Sequence, residues 1–498
     1  MGFPGHNTSR LKPLALGLGT VLVLAVLFFA VALQRVDQSA REGVIAEAVC
    51  RQLLTNTTEG RQALISSVWW PPLAPLLRMP FAAVIEMESC PVASLLLSSL
   101  AGAGVLFLLN RMLQRWNLGW GRWLLVLSLA LNPLFLEQCW NGSSTLVVTY
   151  LILLAAYGLV EWVARREMRM LVYVAIGSAL LFLANFELSA WTLIVFLLVI
   201  ADLALRPAAP GQRQAVLILA FLPLVYAAGL WVLMNWLIMG DGLYFLHSLA
   251  APRVGRELVA LAPLRFGTVT FLAGAVSLLM LLLAGLRQNR AGVYLATLAV
   301  APLVLAVSFS AAGLLWDRVP VLFCLMPLAI ITVGYTVGSP PGLRSGVRHV
   351  ALALGPVMAI VAWLGLLLPG ASGGAAAAPE DFAALTAERN HWLPLIERHV
   401  SEQSAYPKVF VCGYDGLAFL GEKADPVFVP ALDFNFNKVK KDYEGHALYV
   451  LVHRPRNRSA MDSIHWKYKQ IYTLGSRSTM YDGDWGDWRL FIIIQARR

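Results

Sequence analysis

The sequence predicts a polytopic α-helical membrane protein of about eleven transmembrane helices that ends in a small soluble domain of α/β or α+β type. Three observations predict it. Of 498 residues, 58% are hydrophobic and 14% charged, with a mean hydropathy of +0.66, which leaves more apolar surface than an aqueous core hides. Apolar runs of span length recur from Leu14 to Leu368. After Pro379 those runs stop and short β-branched stretches separated by turn residues begin.

The first run, Leu14 to Leu33, follows Arg10 and Lys12. It is too long for a signal-peptide core and no small-residue cleavage site follows it, so it is expected to stay as an anchor. Spans are then expected at Val92 to Leu109, Trp123 to Leu136, Thr145 to Val163, Leu171 to Ala184 and Leu188 to Leu205. Five more are expected at Ala215 to Ile238, Val269 to Leu286, Val293 to Phe309, Val319 to Val337 and Ala351 to Leu368.

A cytoplasmic N-terminus puts Arg111, Arg115, Arg122, Arg165, Arg166, Arg169, Arg206, Arg213, Arg287, Arg290, Arg344 and Arg348 on the cytoplasmic side. The formal charge of +10 is thereby explained by topology, and no nucleic-acid partner is expected. An odd number of crossings delivers the C-terminal region outside the cytoplasm.

Residues 1–370 are thus expected to form the transmembrane module, with exoplasmic loops at 34–91 and 240–267. Both loops carry aromatic or proline residues suited to helices lying in the membrane interface. Residues 371–379 form a Gly/Ala/Pro linker and 380–498 the exoplasmic domain. In that domain a helix is expected near Phe382 to His399. Strands are expected at Val409 to Cys412, Pro426 to Val429, Ala447 to His453 and Leu490 to Ile494, with Asp482-Gly483-Asp484 as a turn.

Of the five cysteines, Cys50 and Cys90 share the first exoplasmic loop. They are either a disulfide or two free thiols. No Cys/His group has zinc spacing, His446, His453 and His465 included. Asp482, Asp484 and Asp487 beside Trp485 and Trp488 read as a polar turn before a strand rather than as a calcium or sugar site.

Ionisable residues at the outer span ends carry the functional reading, because a charge near hydrocarbon is costly unless it faces a wet cavity or a partner. Asp37 follows the first span, Glu137 ends the third, Glu187 lies between the fifth and sixth, and Asp317-Arg318 begins the tenth. A carboxylate there can deprotonate a hydroxyl acceptor, and an arginine can hold a phosphate leaving group. The competing reading is topological: each charge marks the end of a span and is solvated.

At these positions the chain resembles a family. Asp37 after the first span, followed by Trp70-Pro71-Pro72-Leu73-Ala74-Pro75-Leu76-Leu77, is similar to the opening of the GT-C superfamily of integral-membrane glycosyltransferases, in particular its protein-mannosyltransferase-like bacterial branch. Asn132-Pro133-Leu134-Phe135 through Asn141-Gly142-Ser143-Ser144, Leu183-Ala184-Asn185-Phe186-Glu187, Asn235 to Phe245 and Asp317-Arg318-Val319-Pro320 continue the resemblance in order over about 340 residues. The chain departs from the family at Gln38, where a second acid is frequent, at Asn185, where an arginine is usual, and at Val319, where an aromatic is usual.

The resemblance implies a sugar transferase of the inner (plasma) membrane of a bacterium that uses a polyprenyl-phosphate donor and a glycan, lipid or protein acceptor at the outer face of the membrane. It implies Asp37 as catalytic base and Arg318 as the donor-phosphate ligand, with Glu137, Glu187 and Asp317 lining the groove. His247 and Arg253 in the second long loop are candidates for the phosphate or sugar, although contact with lipid headgroups is the favoured reading for both. No protein metal site or cofactor is expected, and a divalent cation at the acidic positions stays open. Two other classes remain: a transporter or flippase of lipid-linked glycans, which disagrees with the absence of an internal repeat, and an inactive GT-C relative, to which Gln38 points.

Overall fold

The computed structural model describes residues 11–35, 41–54, 64, 71–85, 91–186, 188–206, 210–243, 272–280, 283, 289–312, 318–338, 345–367, 379–403, 408–411, 427–429, 449–454, 470–475 and 479–494. The chain divides into two compact units. One comprises 1–43, 91–230 and 258–376; the other gathers 44–90, 231–257 and 377–498.

The first unit is helical. Its elements begin with α1 (Leu11–Gln34) and the first three residues of α2 (Arg41–Leu54), the rest of which, with α3 (Leu73–Ala82), belongs to the second unit; it continues with α4 (Val92–Arg115), α5 (Gly121–Ala130), α6 (Pro133–Trp140) and α7 (Thr145–Arg165). Then come α8 (Met168–Ala184), α9 (Ser189–Leu205) and α10 (Pro210–Met239). The run closes with α11 (Arg290–Ala312), α12 (Arg318–Phe323), α13 (Leu325–Gly338) and α14 (Ser345–Leu367).

Among the described residues, five helices are long and apolar enough to cross a membrane, or six when the bent pair α5 and α6 is one span. Further apolar helices, such as Met168–Ala184 and Ser189–Leu205, are shorter. The molecule is an integral membrane protein. Helix α13 is buried nearly all round, whereas α10 exposes Leu222, Val225, Tyr226 and Leu237, side chains that only a bilayer would solvate.

The expected third span, Trp123 to Leu136, is broken. Helices α5 and α6 meet at 59° because Pro133 removes an amide donor and forces Asn132 into an extended conformation, with ψ 125. Asn132 then caps the new helix, its Oδ1 accepting from the Leu134 amide at 3.0 Å. The break frees the Leu131 carbonyl, which accepts from Trp363 Nε1 on α14 at 2.9 Å, as a broken span in a bilayer requires. The expected tenth span is likewise interrupted at Cys324, between α12 and α13.

In the second unit α15 (Pro379–Gln403) covers one face of a five-stranded mixed sheet with order β2-β1-β3-β5-β4. The strands are β1 (Val409–Val411), β2 (Phe428–Val429), β3 (Tyr449–His453), β4 (Thr479–Trp485) and β5 (Trp488–Ile493). Strands β2, β1 and β3 are parallel, and β5 and β4 antiparallel. A short helix α16 (Ile471–Leu474) precedes β4. Ile396 and Val400 of α15 pack with Val409, Val411, Phe428, Leu451, Trp488 and Leu490 into the core.

The expected turn at Asp482-Gly483-Asp484 is instead part of edge strand β4. The pairing shifts register between Tyr481 and Gly483, so Asp482 occupies a bulge, a usual place for polar residues on a sheet edge. The reversal falls at Gly486-Asp487, between the paired Trp485 and Trp488. Gly486 has φ 61, as a two-residue hairpin with glycine at its first central position demands.

Candidate functional site

Among the described residues, a polar turn lies between α6 and α7. Asn141 Oδ1 accepts from the Ser143 amide at 2.9 Å and Ser143 Oγ donates to Gln138 Oε1 at 2.8 Å, so the Asn-Gly-Ser-Ser segment satisfies its own buried polar groups. Ser98 and Ser99 of α4 each donate to the Cys139 carbonyl at 3.0 Å. Ser94 at the start of α4 donates to the Gly43 carbonyl at 2.6 Å.

Gly43 is jammed against this turn: a Cβ there would lie 2.5 Å from the Gly142 carbonyl oxygen. Gly142 itself has φ +78, a conformation that side chains resist. At the end of α1, the Arg35 guanidinium lies 4.7 Å from the Trp140 ring centroid, a cation–π contact. The sequence positions that bracket residues 36–42 are therefore both held on the same turn.

Glu137 is on α6, exposed, three residues before Trp140 and on the same helical face. Arg318 is the first residue of α12. Asp37, Glu187, His247, Arg253 and Asp317 lie outside the described residues, as does Cys90. Among the described residues, no group of three or more His, Cys, Asp or Glu side chains gathers to hold a metal ion.

Two groups of charges escaped the sequence reading. In α2 and α3, Glu47 and Arg78 are buried; Arg51 pairs with Glu47 at 3.2 Å and Arg78 Nη1 donates to the Ala74 carbonyl at 2.7 Å. Cys50 beside them is a free, buried thiol, pushed up to about 12 by burial and then by Glu47. An amphipathic spacing in α2 was the available signal for this group.

The second group joins the opposite ends of the spans. Glu161 of α7, 1% exposed, accepts from Arg115 Nε at 2.6 Å and from Trp116 Nε1 at 2.9 Å, and pairs with Arg165 at 3.2 Å. Arg115 also reaches Glu167 at 3.2 Å. Glu167 lies in the α7–α8 connection, where the Arg169 hydrogen bond holds its carboxyl below the usual range. Asp202 of α9, fully buried, pairs with Arg166 and Arg206. Four of the arginines expected on the cytoplasmic side, Arg115, Arg165, Arg166 and Arg206, are therefore partners of buried carboxylates, as buried acids require.

In the C-terminal unit the three clustered aspartates diverge. Asp482 Oδ2 is 2.9 Å from His399 Nε2, Asp484 Oδ1 accepts from Arg489 Nε at 2.9 Å, and Asp487 lies 3.9 Å from Arg454. Each has its own basic side chain as partner, so among the described residues they form no shared calcium cage. His453 is buried with Nδ1 2.7 Å from the Arg454 carbonyl oxygen, an ordinary core histidine.

No family model matches the sequence, and no curated protein matches it. Among solved structures the chain is similar to the archaeal oligosaccharyltransferase AglB from Archaeoglobus fulgidus, in complex with an inhibitory peptide and a dolichol-phosphate. The TM-score is 0.50 and the identity 12%, over 91% of this chain and 70% of that one. It is also similar to ArnT from Cupriavidus metallidurans in the apo state, with TM-score 0.44 and 14% identity over 98% and 99% of the two chains. The AglB likeness shows the fold alone: the chain folds like that archaeal oligosaccharyltransferase.

Proposed function

We propose that this protein is a GT-C membrane glycosyltransferase that moves a sugar from a polyprenyl-phosphate donor to a glycan, lipid or protein acceptor at the outer face of the membrane. The observation that carries the reading is the coincidence of a GT-C-type fold with an acidic residue, Asp37, placed just after the first span. Fold alone does not specify chemistry, so the residue order matters. AglB was solved with dolichol-phosphate, a lipid phosphate of the class proposed as donor here.

In this reading the Asp37 carboxylate takes the proton of the acceptor hydroxyl as its oxygen bonds to the anomeric carbon. The bond from that carbon to the phosphate oxygen breaks on the opposite face, with inversion, and the lipid phosphate leaves as an anion. Arg318 holds that phosphate through paired hydrogen bonds. Glu137, Glu187 and Asp317 shape the acceptor groove, and the soluble domain helps to bind the acceptor.

The test is transfer by the purified protein from a panel of polyprenyl-phosphate hexoses and pentoses to extracted envelope glycans, lipids and proteins. Asp37→Asn should lower the rate by about 10²- to 10⁴-fold with donor binding retained, and Arg318→Lys should weaken donor binding because the planar fork is lost. Near-normal turnover by Asp37→Asn would remove the base assignment. Absence of transfer by the wild-type chain, with donor bound, would favour the inactive relative to which Gln38 points.

A further inference from the structure

The ends of α7, α9 and α11 opposite the α6–α7 turn hold an incomplete charge cluster. Asp202, 0% exposed, faces two arginines: Arg166, which ends α7, and Arg206, whose Nε is 3.4 Å from Asp202 Oδ1. Arg166 is left-handed, with φ 59, a conformation that is unfavourable for a non-glycine residue. Its side chain turns back over the Trp162 ring, 4.7 Å from the centroid, to reach Asp202. Arg206 also donates to the Val163 carbonyl at 3.3 Å.

Two guanidiniums against one carboxylate leave one positive charge uncompensated at a span end. Arg290, exposed at the start of α11, adds another. One turn along α11, Tyr294 is 7% exposed, and among the described residues its hydroxyl has no hydrogen-bond partner. It lies within electrostatic reach of Asp202, Arg290, Arg206 and Arg166. Among the described residues Asp202 Oδ1 has its ion pair with Arg206 but no hydrogen bond. A buried phenol without a partner, beside surplus positive charge that is only about one-third exposed on Arg166 and Arg206, is an unfavourable arrangement unless something anionic completes it.

We infer that Arg166, Arg206, Arg290 and Tyr294 form a binding site for the phosphate of an anionic membrane phospholipid. A phosphodiester brings the single negative charge that is missing. Its oxygens accept from guanidinium N–H groups not used on Asp202, and Tyr294 donates the remaining hydrogen bond. Basic pockets between span ends are suited to anionic headgroups, which the bilayer presents at that depth. The site is at the opposite span ends from the α6–α7 turn and is independent of the sugar-transfer reading.

The experiment compares the full-length protein in detergent with added phosphatidylglycerol, phosphatidylcholine or inorganic phosphate, reading thermal unfolding and lipid retention by native mass spectrometry. Phosphatidylglycerol should be retained and raise Tm more than phosphatidylcholine does. Arg290→Gln and Tyr294→Phe, which leave the Asp202 pair intact, should each weaken phosphatidylglycerol binding by about tenfold. Arg213→Gln, at an exposed position near the start of α10, should not. Equal stabilisation by phosphatidylcholine, or unchanged selectivity in both site variants, overturns the proposal. So does an equal loss in Arg213→Gln, which would mean a diffuse basic surface, or full stabilisation by inorganic phosphate, which would mean a free-anion pocket.

Discussion

Arg115 at the end of α4 donates through Nε to the buried carboxylate of Glu161 on α7 at 2.6 Å. The two residues are 46 positions apart, and with Trp116 they tie two long spans together at one end. Glu161 is thus a carboxylate near hydrocarbon that carries its own compensation, two guanidiniums and an indole N–H.

Glu161→Gln should destabilise the protein by about 3 kcal/mol, toward the low end for breaking a buried pair, since Arg115 and Arg165 retain some solvent contact. Chemical unfolding in detergent measures this. A change below about 0.5 kcal/mol, the range of ordinary surface substitutions, would show that the pair is not formed in solution.

Gly142→Ala tests the polar turn. At φ +78 an added Cβ is strained and meets Ser94 Cβ at 3.2 Å, so a cost of about 1–2 kcal/mol is expected. Because Gly142 abuts Gly43, and residues 36–42 carry Asp37, transfer should fall by more than the stability loss explains. A variant with lowered stability but wild-type kcat would separate the turn from the site.

Cys50 gives a pH dependence with a definite sign. Its thiol is raised from 9.0 to about 12 in the folded chain, so the folded state holds the proton more tightly than the unfolded one. That stability is fully present below pH 9 and is lost as pH rises toward 12. Cys50→Ala should flatten the fall in Tm across this window. In the native protein, Cys50 should also resist alkylation at pH 8 and react once unfolded.

Topology is open to a direct measurement. Reporter fusions after Arg10 and after Gly374 should fall in opposite compartments, as the distribution of arginines requires. Finding both in one compartment would remove the basis for chemistry at the outer leaflet.

Several elements were legible in the sequence. The helices at Val92–Arg115, Thr145–Arg165 and Arg290–Ala312 follow from apolar runs alone, because a bilayer asks of each span only length and low charge. Helix α15 and strands β1, β3 and β5 sit close to where their local patterns place them. The break at Asn132-Pro133 was written in those two residues, yet a hydropathy window averages over it. Strand β4 was hidden because Asp482 and Gly483 have turn chemistry, and only pairing with β5 makes them a bulged edge.

What the sequence by itself determined is the membrane class, the places of the five or six span-length apolar helices among the described residues, the mixed C-terminal sheet and, through ordered motifs, the resemblance to GT-C enzymes. These depend on composition and on neighbours a few positions apart, where periodicity is a direct physical signal. Only the tertiary structure decided that Arg115 belongs to Glu161, that Arg166 and Arg206 belong to Asp202, and that Arg35 and Gly43 both rest on the Trp140–Gly142 turn. Apart from Arg206 and Asp202, four positions apart, those partners are distant in the chain. An arginine at a span end looks the same in sequence whether water, a headgroup or a buried carboxylate neutralises it, and the packing of nonadjacent helices makes that choice.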